Sequence, residues 1–228
     1  MKNLMIMILL LGVGPLACVT TVDGFRLPPQ PKPQRTEADL KRDVEENPDD
    51  GTAYVTLGYH YWANERQPRR ARPYLERGIE LQGRRVYTSP HYWLGAVCWE
   101  LGDWDAAIRE LEDCLLVPPQ EESHRLLDEY YRLPHWLLTK IYAEKKGDYA
   151  TAERHLADYE SLGSDDETLA ELHMVMAGVY ATKGQDAKKA RKHLNRFVEL
   201  GGDRKDAARI RRKIEELENP SKDNSSGL

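Results

Sequence analysis

Seven histidines and three cysteines are the side chains of this 228-residue sequence with the chemistry to ligate a metal ion or close a disulfide. Their spacing argues against both. His91, His135 and His173 stand at one register of an internal repeat, and His155 and His193 at another. Successive members therefore fall one packed-helix spacing apart, roughly 10 Å, whereas the ligands of a single ion lie about 2 Å from it. These histidines are expected to be structural substitutes for aromatic rings, and no metal site is expected. Cys98 and Cys114 belong to the two arms of one hairpin. They are offset by about seven residues, some 10 Å at a rise of about 1.5 Å per residue, beyond the roughly 7 Å between α carbons that a disulfide allows. They should be buried free thiols. There is no glycine-rich phosphate loop, no HExxH, no GxSxG and no paired-cysteine motif, so the sequence is read as that of no enzyme, with no cofactor.

Cys18 has a different setting. Lys2, an apolar run from Leu4 to Val13 and small residues before Cys18 have the layout of a secretory signal, too short for a membrane-spanning helix. Pro15-Leu16-Ala17-Cys18 resembles the lipobox of bacterial lipoproteins, with Pro15 and Leu16 in place of the usual Leu and small residue. The resemblance implies that Cys18 becomes the acylated, palmitate-bearing first residue of the mature chain, and that the protein is lipid-anchored in the bacterial cell envelope. An Asp after the cysteine favours the inner membrane in enteric lipoproteins; Val19 stands there instead, which points to the outer membrane, facing the periplasm. Val19 to Thr36 contains Pro28, Pro29, Pro31 and Pro33 and reads as an extended tether.

The elements that carry the histidines follow from self-similarity. With 31% charged residues, two Phe and a mean hydropathy of −0.69, the chain does not read as a polytopic membrane protein. Pro90-His91-Tyr92-Trp93-Leu94-Gly95 matches Pro134-His135-Trp136-Leu137-Leu138-Thr139, and each is followed by a Gly-Asp-aromatic turn, Gly102-Asp103-Trp104 and Gly147-Asp148-Tyr149. Further copies run through His173, Met176, Ala177, Tyr180, Gly184 and Ala190, and through Tyr54, Leu57, Gly58, Tyr61 and Ala71. These residues resemble the tetratricopeptide repeat, a helix-turn-helix of about 34 residues in which small side chains let the helices approach. The copy from Thr88 fits without a gap, and those from Gly51, Arg132 and Ala170 each carry one extra residue at the turn.

The resemblance implies an all-α fold, an α-solenoid of about four TPR repeats with an N-terminal half repeat and a C-terminal capping helix, because one hairpin cannot bury its apolar stripe alone. The expected divisions are a signal peptide over 1–17, an acylated cysteine and Pro-rich tether over 18–36, a solenoid over 37–218 and a disordered tail over 219–228. Within the solenoid the repeats span about 51–85, 88–121, 132–166 and 170–204, with the cap over 205–218. Residues 122–131 (ESHRLLDEYY) interrupt the array, either as a longer first helix kinked near Pro134 or as an aromatic flap beside the groove.

In this family the first helix of each repeat lines the concave face, chiefly through positions 2, 5, 9 and 12. Here that places Val55, Tyr59, Trp62, Tyr92, Trp99, Trp136, Lys140 and Met174 in a partner-binding groove. Val55 and Tyr59, or Tyr92 and Ala96, replace the Lys and Asn clamp by which some relatives hold a terminal carboxylate. An aromatic groove suits apolar anchors of a protein partner; the alternative is that the rings pack on neighbouring repeats or on the N-terminal linker. Between Lys183 and Lys213 twelve basic residues face four acidic ones, a net of +8 in a chain of net −5. The cap concentrates part of this as a basic face of Arg204, Lys205, Arg209, Arg211, Arg212 and Lys213.

The resulting expectation is a non-catalytic envelope lipoprotein that binds a protein partner of the cell envelope and supports an envelope machine. Small repeat lipoproteins of this build include the pilotins of type IV pili and a component of the outer-membrane barrel-assembly machine. The alternative is an accessory that binds cell wall or anionic lipid through the basic face and regulates a wall enzyme. Nucleic acid is not an expected partner.

Overall fold

The computed structural model describes residues 21–22, 25–26, 35–83, 88–116, 124–163 and 166–219. The leader over 1–17, Cys18, most of the tether and tail residues 220–228 lie outside them. Residues 1–36 and 37–228 form two units. In the first, β1 (Thr21–Val22) pairs antiparallel with β2 (Phe25–Arg26), Thr21 opposite Arg26 and Val22 opposite Phe25. A short ribbon thus stands within the stretch whose prolines predict extension.

The second unit is a run of helical hairpins. Helix α1 (Glu37–Glu46) packs on α2 (Gly51–Tyr59), which pairs with α3 (Pro68–Gln82); α4 (Thr88–Glu100) pairs with α5 (Trp104–Leu116). Helix α6 (His124–Lys140) pairs with α7 (Tyr149–Ser161), α8 (Asp166–Thr182) with α9 (Ala187–Glu199), and α10 (Arg204–Glu218) closes the array against α8 and α9. Each second helix also touches the first helix of the next hairpin, so the apolar stripes merge into one continuous core. No described helix is long and apolar enough to cross a membrane. Where the sequence leaves two readings for residues 122–131, the backbone from His124 runs as one helix through Pro134.

The crossing points show why small residues recur. A Cβ built on Gly58 would stand 2.8 Å from Leu75 Cγ, and one on Gly95 2.7 Å from Leu111 Cγ. Leu75 and Leu111 are fully buried, each contributing about 2 kcal/mol of apolar burial, and only glycine lets the facing helix come that close.

Two of the three longer turns absorb their extra residue in the same way. Helices α2 and α6 end in π-helical turns, His60–Asn64 and Ile141–Lys146, which hold one residue more than an α turn. The left-handed residue that follows is Gly102 in the gapless repeat, and Arg66, Gly147 and Gln185 one position later in the others. Asp103, Asp148 and Asp186 then open the second helices by accepting from Ala106 N, Thr151 N and Lys189 N at 3.2, 3.1 and 2.9 Å.

Candidate functional site

Among the described residues, the rings that the register places on the inner face lie close to one another. Val55, Tyr59, Trp62, Tyr92 and Trp136 are all buried, and Trp99 is half-buried. Tyr59 lies against Trp93 with centroids 4.4 Å apart, Trp62 edges onto Tyr92 at 6.5 Å, and Trp99 meets Trp136 at 6.3 Å. Trp62 Nε1 donates to Glu100 Oε1 at 2.8 Å. These rings cover one another along adjacent helices, a contact that bulky aromatic side chains favour. Lys140 remains at the edge, its Nζ 4.4 Å from the Trp136 centroid and 2.7 Å from Glu171 Oε1.

A cavity of about 1130 Å³ lies between α8 and α10, and Met174 sits in it. Its floor is apolar, with Ala170, Met174 and Gly178 from α8, Phe197 from the end of α9 and Ile210 from α10. Glu167 and Glu171 stand on the α8 side, while Lys205, Arg209 and Lys213, spaced four apart, line the α10 side. Asp203 and, on the α10 side, Asp206 also line it. Two features that the sequence suggests separately, the groove and the basic face, therefore meet here. Arg204, Arg211 and Arg212 are exposed outside this lining. The register rule could have found Glu171, Gly178 and Ala181, at positions 2, 9 and 12 of the fourth repeat, had small residues been given the weight of rings.

The +8 segment is partly compensated. Lys189 pairs with Glu153, Arg191 with Glu218, Arg196 with Glu160 and Lys213 with Glu216. Cys98 and Cys114 are buried and unbridged, and burial pushes their thiols up to about 11 and about 12, where they are inert.

The histidines are placed as the sequence does not predict. They pair across each hairpin: His91 Nδ1 lies 2.9 Å from Glu110 Oε2, His135 Nδ1 2.9 Å from His155 Nδ1, and His173 Nδ1 2.9 Å from His193 Nδ1. In the first repeat Tyr54 and Tyr74 hold the same two places, 6.4 Å apart. Burial lowers all four imidazoles of the two His–His pairs, His155 and His173 to about 4. Comparing like positions along the array gives separations of a whole repeat; the contact runs between unlike positions inside one hairpin.

Stacked hairpins, glycine crossings and a lone terminal helix define a tetratricopeptide-type α-solenoid. No protein-family model matches the chain, and no curated protein does. Among solved structures, it is similar to YrrB, described as a TPR protein with an unusual peptide-binding site, at 18% identity and a TM-score of 0.62, covering 77% of this chain and 81% of that one. It is also similar to two structures of MamA, each at 18% identity and a TM-score of 0.58, covering 72% of this chain and 86% or 80% of the other. These likenesses establish the fold.

Proposed function

We propose that this protein is a non-catalytic envelope lipoprotein that captures a segment of a protein partner in the cleft between α8 and α10, and so supports the assembly or placement of a larger envelope machine. The observation that carries the binding role is the cleft itself, with an apolar floor between an acidic and a basic side. Such walls orient a segment while the floor buries its apolar anchors. The peptide site of YrrB supports the reading by analogy of fold. Cys18 and its signal support the anchor, and Val19 the outer membrane.

Gly178 gives a clean test. A Cβ there meets Ile210 Cδ1 at an ordinary 3.6 Å, so the backbone tolerates a side chain and Gly178→Leu projects into the cleft; an unchanged thermal unfolding midpoint verifies that the variant keeps its fold. With a photo-crosslinking residue at Met174, one discrete partner band should form in cell envelopes and vanish when Gly178→Leu is added. A band that survives in the filled cleft refutes the site. Cys18→Ser should abolish fatty-acid labelling and release the chain into soluble fractions; labelling that persists refutes the anchor alone.

A further inference from the structure

We propose that His135, His155 and Asp158 form a binding site for one borderline divalent cation of the zinc class, on the flank of the third repeat. The three side chains each offer one ligand atom, all within 4.8 Å of one another. The two Nδ1 atoms are 2.9 Å apart, and Asp158 Oδ2 lies 3.8 Å from His135 Nδ1. Ligands bonded at about 2.0–2.1 Å to a tetrahedral ion stand about 3.3 Å from one another, so to enclose one the two imidazoles must part slightly and the exposed Asp158 carboxylate must swing in towards both of them. Two imidazoles and a carboxylate suit zinc, cobalt, nickel or copper rather than calcium or magnesium.

The helices prearrange this set. His155 and Asp158 are three residues apart on one face of α7, and His135 projects from α6 across the hairpin. Tyr142 stacks on His155 at 5.7 Å and 8°, and its hydroxyl donates to Glu112 of the preceding repeat at 2.9 Å, which fixes the ring plane. Asp158 is 60% exposed, so an ion can enter from solvent. Burial lowers both imidazoles, which favours the neutral form that ligates a metal. In the free pair one ring donates Nδ1–H to the other. On binding, that ring carries its proton on Nε2 instead, by exchange with water, so both Nδ1 lone pairs face the ion and no proton is released.

The other repeats supply the contrast. His173 and His193 form the same pair, but at the register place of Asp158 the fourth repeat has Arg196, a cation bonded to Glu160 at 2.8 Å that offers no ligand atom; Glu153 lies 3.9 Å from His193 Nε2 but is bonded to Lys189 and Tyr180. His91, Glu110 and Asp113 also cluster, yet they offer one imidazole, and the His91 and Glu110 side chains are only 2% and 4% exposed.

The test is titration of the untagged full-length chain with Co²⁺, read by the visible bands of a four-coordinate site and by their displacement with Zn²⁺. His155→Gln and Asp158→Asn should each weaken binding by about tenfold or more. His173→Gln should leave it unchanged, and Arg196→Asp should add one equivalent. Asp158→Asn alters an exposed side chain, so its effect does not pass through folding, and a gain of binding in Arg196→Asp cannot come from unfolding. Absence of the bands in the natural chain overturns the proposal, as does their persistence in a folded His155→Gln chain.

Discussion

His173 Nδ1 lies 2.9 Å from His193 Nδ1 and ties α8 to α9 within the core. Burial first, then the charge of its neighbour, holds His173 at about 4, and burial lowers His193 as well. Glu153, 3.9 Å from His193 Nε2, and Glu160 pull upward, while Lys189, Lys192 and Arg196 push downward. A histidine in the unfolded chain titrates near 6.5. Below that pH the unfolded state takes up protons that the folded state refuses, so stability is complete above about 6.5 and falls as pH drops towards about 4. The His135–His155 pair adds to the same slope. Thermal unfolding at about pH 5 should come several degrees below that at about pH 7, on the order of 1 kcal/mol per pair. Replacing His173 and His193 together by Phe, in a place where the first repeat holds two tyrosine rings, should roughly halve the slope.

Much of this architecture is legible from residues alone, and the reasons differ by feature. Gly58 and Gly95 mark helix crossings because nothing larger fits, and Asp103, Asp148 and Asp186 mark helix starts because a carboxylate caps bare N–H groups. The site was less legible. Register puts Tyr59, Trp62, Tyr92 and Trp136 on the inner face, but it does not say that these rings close on each other. The cleft is marked by small residues, Ala170 and Gly178, which show where space is left only once the neighbours' positions are known. The histidine pairs escaped because periodicity compares like with like.

The crossing at Gly95 sets a second expectation. Gly95→Ala brings a Cβ to 2.7 Å from Leu111 Cγ and 2.8 Å from its Cδ2, and Leu111 is buried with no room to retreat. The overpacking cost, about 1–3 kcal/mol, exceeds the gain of about 1 kcal/mol from replacing a helical glycine. Urea denaturation should show net destabilisation. Gly178→Ala, whose Cβ meets Ile210 at 3.6 Å, should be neutral or up to about 1 kcal/mol stabilising.

Gln185 and Arg66 carry positive φ angles of 49° and 58° where the third repeat has Gly147 at 70°. A side chain in that region is strained and glycine is not. Gln185→Gly should therefore raise stability by about 0.5–1 kcal/mol, after allowing for the greater freedom of glycine in the unfolded chain. Gly147→Ala should lower it by a similar amount or more, measured in the same denaturation series.

Lys140 joins two repeats through two contacts of different kinds. Its Nζ stands over the Trp136 ring at 4.4 Å and bonds Glu171 Oε1 at 2.7 Å, with side chains 14% and 37% exposed. The ring contact is screened little by salt because Trp136 is buried, whereas the carboxylate faces solvent and its share is screened. Lys140→Met should thus cost more than Glu171→Gln, about 1–2 kcal/mol against about 0.5–1 kcal/mol, because it removes both contacts. In a double-mutant cycle the coupling should be about 0.5–1 kcal/mol at low ionic strength and should shrink in about 1 M salt, while most of the Lys140→Met cost remains. A coupling that does not change with salt would mean that the pair is held by packing rather than by charge. Glu171 also lines the α8 side of the cleft, so Glu171→Gln frees Lys140 and turns the net charge there from acidic towards basic. A partner segment whose acidic end seats on that side should bind more tightly to the variant, and one that presents a basic end more weakly.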